Sequence, residues 1–214
     1  MMIPKLHYIT QGSSPKEHLE NIQKACTSGI ELVQLRLKNI SDKKILKLAQ
    51  EAREITSHFQ TRLIINDHYK IAKEVKADGV HLGKTDACPT VARKHLYTWQ
   101  MIGGTANTLQ DCKALIGKEV DYISLGPFRD TTTKNNLSPV LGVNGYTAII
   151  EALHTDTPII GVGGITIADV TAIVETGISG LAVSGEITHN FDTIRTFNQL
   201  LNASATKEQR HTFN

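Results

Sequence analysis

The loop Gly126-Pro127-Phe128-Arg129-Asp130-Thr131-Thr132-Thr133-Lys134 sets three consecutive hydroxyls and an ammonium directly after the apolar run Tyr122-Ile123-Ser124-Leu125. Glycine and proline end that run sharply, since one frees the backbone and the other removes a donor. The hydroxyls can donate to a multiply charged anion while the lysine neutralises it. A solvated threonine-rich turn has the same composition, so matching groups elsewhere in the chain must decide.

Such groups recur. In Val33-Gln34-Leu35-Arg36-Leu37-Lys38 the polar residues Gln34, Arg36 and Lys38 alternate with leucines, so an extended chain sets all three on one face. Two cations facing the interior of a sheet are costly unless an anion or carboxylates neutralise them, and an internal ion-pair network would also do so. Asp67 ends Ile64-Ile65-Asn66-Asp67, and Asp86 follows Gly79-Val80-His81-Leu82-Gly83. Two carboxylates near cations and hydroxyls suit Mg²⁺, a hard ion that takes one or two carboxylates with phosphate oxygens and water. A lone Asp behind a strand ordinarily caps the next helix, and Asp67 and Asp86 could instead pair with Arg36 and Lys38. His81 reads as a buried, hydrogen-bonded residue rather than an acid or base. Thr105 ends Gly103-Gly104-Thr105, with Asn107 behind it as a helix cap. The turns Gly161-Val162-Gly163-Gly164-Ile165 and Val183-Ser184-Gly185-Glu186 allow backbone N–H groups close to an anion.

The elements that would position these residues follow one rhythm: a short apolar run, a turn, then an amphipathic segment. Strands are expected at Leu6–Thr10, Glu31–Arg36, Leu63–Asn66, Gly79–Leu82, Met101–Thr105, Tyr122–Leu125, Pro158–Gly161 and Gly180–Ser184. Between them, Ser41–Phe59 sets Ile45, Leu48, Ala49, Ala52 and Ile55 on one helical face. Ile71–Val75 and Ile167–Thr176 behave alike, the latter with Thr166 as N-cap. Strands alternating with helices predict an α/β protein with parallel strands, and eight units close a (β/α)₈ TIM barrel. A doubly wound sheet usually carries a glycine-rich GxGxxG after its first strand, where this chain has Thr10-Gln11-Gly12-Ser13-Ser14. A single barrel domain over residues 1–202 is therefore expected, with 203–214 as a polar, frayed tail. In such a barrel the chemistry sits at the carboxyl ends of the strands, and the loops after strands seven and eight commonly hold phosphate.

Composition restricts the partners. The 214 residues are 40% hydrophobic and 21% charged, with a net charge of +2, which argues against a basic nucleic-acid surface. No apolar stretch approaches the roughly 18 residues of a membrane span. Three widely spaced cysteines without CxxC, and a start without an apolar signal core, suggest reduced thiols in a cytoplasmic protein. One cation-rich site and one neutral, backbone-built site in the same mouth would suit an enzyme that joins a diphosphate to a monophosphate.

With those residues in place, the chain resembles the thiamine phosphate synthase family from about Leu6 to Leu201. The likeness runs through QLRLK at Gln34–Lys38, IIND at Ile64–Asp67, ADGVHLG at Ala77–Gly83 with Asp86, DYISLGPFRDTTTK at Asp121–Lys134, and GVGGI at Gly161–Ile165. The resemblance implies a (β/α)₈ barrel that couples hydroxymethylpyrimidine diphosphate to hydroxyethylthiazole phosphate or its carboxylated form. It further implies that Gln34, Arg36, Lys38, Asn66 and Lys134 hold the pyrimidine diphosphate, with Mg²⁺ on Asp67 and Asp86. Thr131 and Thr133, with Gly164 and the Ser184-Gly185 backbone, would contact thiazole phosphate. Thr105 stands where the family has a serine near the reacting diphosphate. Lys84 replaces a usual glutamine, and Gly185 stands where serine is common. Diphosphate departure is the first step that the family implies, so Arg36, Lys38, Lys134 and Thr105 are expected to serve the leaving group. A related tautomerase family places a histidine in the loop after strand five, where this chain has Asn107. A non-catalytic barrel would have no need to keep Asp67, Asp86 and Lys134 together, and a phosphosugar isomerase would need fewer cations.

Overall fold

Eight short apolar runs pair side by side in sequence order until the last meets the first. In the computed structural model, which describes residues 3–130 and 139–211, the strands are β1 (Leu6–Ile9), β2 (Leu32–Leu35), β3 (Arg62–Asn66), β4 (Gly79–Leu82), β5 (Met101–Ala106), β6 (Tyr122–Leu125), β7 (Ile159–Val162) and β8 (Gly180–Val183). All pair in parallel, and β8 closes on β1 through Leu6↔Leu181 and Tyr8↔Val183. The helices are α1 (Pro15–Thr27), α2 (Asp42–His58), α3 (Tyr69–Glu74), α4 (Pro89–Arg93), α5 (Leu109–Ile116), α6 (Gly142–Ala152), α7 (Val170–Val174, behind a 3₁₀ turn at Ile167–Asp169), α8 (Gly185–His189) and α9 (Thr193–His211). This is the expected (β/α)₈ barrel.

Strand alternation divides the core in two. Outward residues such as Val33, Leu35, Leu63, Ile65, Val80 and Ile123 join the helices in one large apolar layer. Inside the barrel, Leu32, Ile64 and Met101 form one small cluster, and Tyr122, Ile160 and Ala182 another, with Ile3 against both. Gln34, Asn66, His81 and Ser124 are also buried, on the same inward phase nearer the carboxyl ends. The interior thus changes from apolar to polar along the barrel axis.

Two local expectations change. Thr108, not Asn107, caps α5, through a reciprocal capping box with Asp111. His68, not Asp67, occupies the N-cap of α3. Helix α9 runs across residue 202, where the domain boundary is expected, to His211. Among the described residues no helix is long and apolar enough to cross a membrane.

Candidate active site

Every strand contributes to one cavity of about 490 Å³ at the carboxyl ends of the barrel. Ile9, Gln34, Arg36, Asn66, His81, Thr105, Ser124 and Val162 come from or directly follow β1 to β7. The turn Gly163–Thr166 and the segment Ala182–Glu186, with His189, complete the wall. Of the residues singled out from sequence, Gln34, Arg36, Asn66, Thr105, Gly164, Ser184 and Gly185 therefore meet in one place. Thr131, Thr133 and Lys134 lie outside the described residues.

Arg36 is held from behind. Its backbone N–H donates to Thr10 Oγ1 at 3.0 Å, and that hydroxyl also pairs with His18 Nδ1 at 2.9 Å. Burial pulls the guanidinium below its ordinary pKa, while the charge of Asp67 acts in the opposite sense. An arginine stays charged under such a shift. Its Nε and the Nδ2 of Asn66 are buried donors without a hydrogen-bond partner among the described residues. A buried donor left unpaired costs about 1–3 kcal/mol, so two beside one cavity are informative. They are what a cavity prepared for an acceptor-rich ligand requires.

Asp67 sits just past β3 with φ of +66°, a left-handed conformation that non-glycine residues rarely adopt. Its N–H donates to the carbonyl of His81 at 2.9 Å, which fixes the backbone there. The side chain accepts from Lys38 Nζ and is hydrogen-bonded to Asp86. Asp86 also accepts from the N–H of Gly83 at 2.6 Å. Burial raises both carboxyls, but the hydrogen bonds from Asp86 and Lys38 hold Asp67 below the ordinary carboxylate range. Burial and the neighbouring Asp67 push Asp86 above it. Two carboxylates this close must share a proton or a cation. An all-oxygen pair fits Mg²⁺ in donor chemistry, although neither carboxylate is among the residues that line the cavity. Among the described residues no cluster of three or more His, Cys, Asp or Glu side chains gathers as a metal site.

The β7–β8 side is built differently. Gly163 and Gly164 have φ of +102° and +66°, so both turn where side chains are strained. A Cβ on Gly163 would come within 2.8 Å of Pro127. That closeness lets the start of the β6 loop clasp the β7 turn. Phe128 N–H donates to Val162 O at 2.9 Å, and Arg129 N–H to Gly163 O at 3.0 Å. Arg129 also donates to Gly164 O at 2.8 Å and grips Asp169 with two bonds of 3.0 and 2.7 Å. Ser184 Oγ donates to Gln11 Oε1 at 3.4 Å, a weak bond, and Gly185 begins α8.

Lys84 turns to Asp111 and pairs with its Oδ2 at 2.6 Å. Ser124, Thr166, Glu186 and His189 line the cavity without having been assigned a place in the site from sequence. Ser124 was legible, because alternation along Tyr122-Ile123-Ser124-Leu125 sets it on the inward face; the other three follow strand ends, where periodicity stops.

A closed parallel barrel with a polar mouth and a glycine-built turn after β7 is the architecture of a (β/α)₈ enzyme. A family model described as Thiamine monophosphate synthase matches residues 6–187. The chain is 41% identical over 192 residues to a thiamine-phosphate synthase of Flavobacterium johnsoniae, covering 88% of this chain and 91% of that protein. It is 39% identical over 200 residues to the thiamine-phosphate synthase of Bacteroides fragilis, covering 92% and 98%. Among solved structures, a thiamine phosphate pyrophosphorylase from Pyrococcus furiosus aligns with a TM-score of 0.80 at 25% identity, covering 95% of this chain and 96% of that one. The chain belongs to the thiamine monophosphate synthase family, whose named members are transferases.

Proposed function

We propose that this chain joins hydroxymethylpyrimidine diphosphate to a thiazole phosphate, releasing diphosphate and forming thiamine phosphate. The observation that carries this reading is the pair of buried donors, Arg36 Nε and Asn66 Nδ2, beside the cavity and unpartnered among the described residues. Their position next to Lys38, Asp67 and Asp86 supports a diphosphate on the β2–β4 side, with Gln34 completing its contacts. The glycine turn of β7 and the Ser184-Gly185 segment suit the single phosphate of the thiazole.

Departure of diphosphate leaves a cation on the pyrimidine methylene, which the thiazole nitrogen then attacks. Little proton transfer is needed, so the chain's task is to stabilise the departing charge. Arg36 and Lys38, with Lys134 from the β6 loop, would supply fixed positive charge, and Thr105 a hydroxyl beside it. Mg²⁺, held by Asp67 and Asp86, would add Lewis-acid neutralisation of the phosphate oxygens. Thr131 and Thr133 would hydrogen-bond the thiazole phosphate. The protein incubated with both substrates and Mg²⁺ is expected to release diphosphate; no coupled product at saturating substrate would refute this reading.

A further inference from the structure

Three inward side chains of consecutive strands form a continuous line, and two of them, His81 and Thr105, stand in the cavity wall. Tyr122 of β6 is 1% exposed, and its ring lies over Gly103, where a Cβ would sit 2.1 Å from the phenol carbon. Because β5 has glycine there, the phenol reaches His81 of β4, with Oη 3.2 Å from Nδ1. On the other edge of that imidazole, Nε2 lies 2.9 Å from Oγ1 of Thr105. Thr105 lines the cavity.

We propose that His81 and Tyr122 are positioning residues, which set the direction of the Thr105 hydroxyl so that its proton faces the anionic substrate. The inference rests on the coupling reaction proposed above, in which Thr105 lies beside the departing diphosphate. Its basis is donor arithmetic. A phenol has one proton to donate, and burying that proton unpaired costs more than leaving a lone pair unused. Burial pushes the Tyr122 hydroxyl far above its ordinary pKa, so it keeps that proton. The hydroxyl therefore donates to Nδ1, which makes Nδ1 an acceptor and places the ring proton on Nε2. Nε2–H then donates to Thr105 Oγ1. Having accepted that bond, the threonine hydroxyl directs its own proton elsewhere, and the space beside it is the cavity. The opposite polarity would present lone pairs to a diphosphate and repel it.

Two measurements on the full-length protein test this. In ¹⁵N-detected NMR of the wild type, the His81 ring is expected as the Nε2–H tautomer; an Nδ1–H tautomer overturns the relay. Tyr122→Phe removes one buried oxygen and leaves the ring, and its melting temperature verifies folding. It is expected to mix the His81 tautomers and lower kcat about tenfold, a fraction of the effect of deleting an oxyanion donor, with little change in KM. In a Thr105→Ala background the same change should cost nothing further, because the hydroxyl it orients is gone. Equal losses in both backgrounds, with wild-type coupling intact, overturn the relay without touching the coupling reaction. Thr105→Ser, which keeps the hydroxyl, is expected to retain sensitivity to Tyr122→Phe, and loss of that sensitivity would also overturn it.

Discussion

On the β2–β4 side of the cavity Arg36, Lys38, Asp67 and Asp86 stand together, with two buried donors unpaired among the described residues and one residue in a left-handed conformation. The β7–β8 side uses the backbone of Gly163, Gly164 and Gly185, and its cation, Arg129, is occupied with Asp169. The first wall keeps charge in readiness, at the cost of desolvation and strain. The second spends its only described charge pair on holding a turn in shape. A leaving group whose negative charge grows needs the former; a phosphate that does not react needs only the latter.

If that division is right, the largest effect should come from the charged wall. Arg36→Ala is expected to lower kcat for diphosphate release by about 10²–10³, the cost of one preorganised donor to developing charge. A change confined to KM would mean that Arg36 binds ground state and transition state alike. Gly164→Ala probes the neutral wall. At φ of +66° an alanine is strained by about 1–2 kcal/mol, and its Cβ would approach that of Arg129 to 3.0 Å. Lower thermal stability and a raised KM for the thiazole phosphate are expected, with kcat affected less. A kcat loss matching that of Arg36→Ala would erase the distinction between the walls.

The clasp between the β6 loop and the β7 turn sharpens the comparison through pH. Burial raises the Asp169 carboxyl, but its bonds to Arg129 and Thr166 outweigh that and leave it below the ordinary carboxylate range. A group depressed on folding contributes stability above its unfolded pKa, and loses it as pH falls through the folded one. Arg129→Ala is therefore expected to cost roughly 1 kcal/mol at neutral pH, since the arginine is half exposed. The cost should fade in acid, as Asp169 protonates in both proteins. Denaturant unfolding of the pair across pH 2–7 would measure it; a cost independent of pH would assign the effect to the Arg129 guanidinium over the Phe128 ring instead.

Much of this arrangement was legible beforehand, for identifiable reasons. Tyr122–Leu125 and Gly79–Leu82 are strands as read, because buried parallel strands are short apolar runs cut off by turn residues. Gln34, Arg36, Asn66 and Thr105 meet because alternation sets the face and the barrel sets the end. What local pattern does not encode is pairing across distance. The cap at Thr166 is a local signal and was legible, but the grip of Arg129 on Asp169 spans 40 positions and leaves no periodic trace. Asp67 looked like a cap because its type and place suit one; the left-handed turn instead moves the cap to His68 and leaves the carboxyl for Lys38 and Asp86.

Lys84 gives the smallest expected effect and the narrowest test of where the charged wall ends. Two residues before Asp86, it stands where the family usually has a glutamine, and the sequence leaves open whether it meets the diphosphate or points away. The structure turns it to Asp111, whose Oδ2 also accepts from the N–H groups of Asn107 and Thr108 at 2.9 and 3.0 Å. That carboxylate closes the N-terminus of α5, so Lys84 ties the β4 loop to a helix cap. The ammonium is about half exposed, and the pair contributes no more than about 0.5 kcal/mol. Lys84→Ala should therefore leave diphosphate release within about twofold, far from the 10²–10³ expected for Arg36→Ala. A tenfold loss would place Lys84 among the groups that meet the departing charge, and the charged wall would then extend from β2 past Asp86 to the foot of α5.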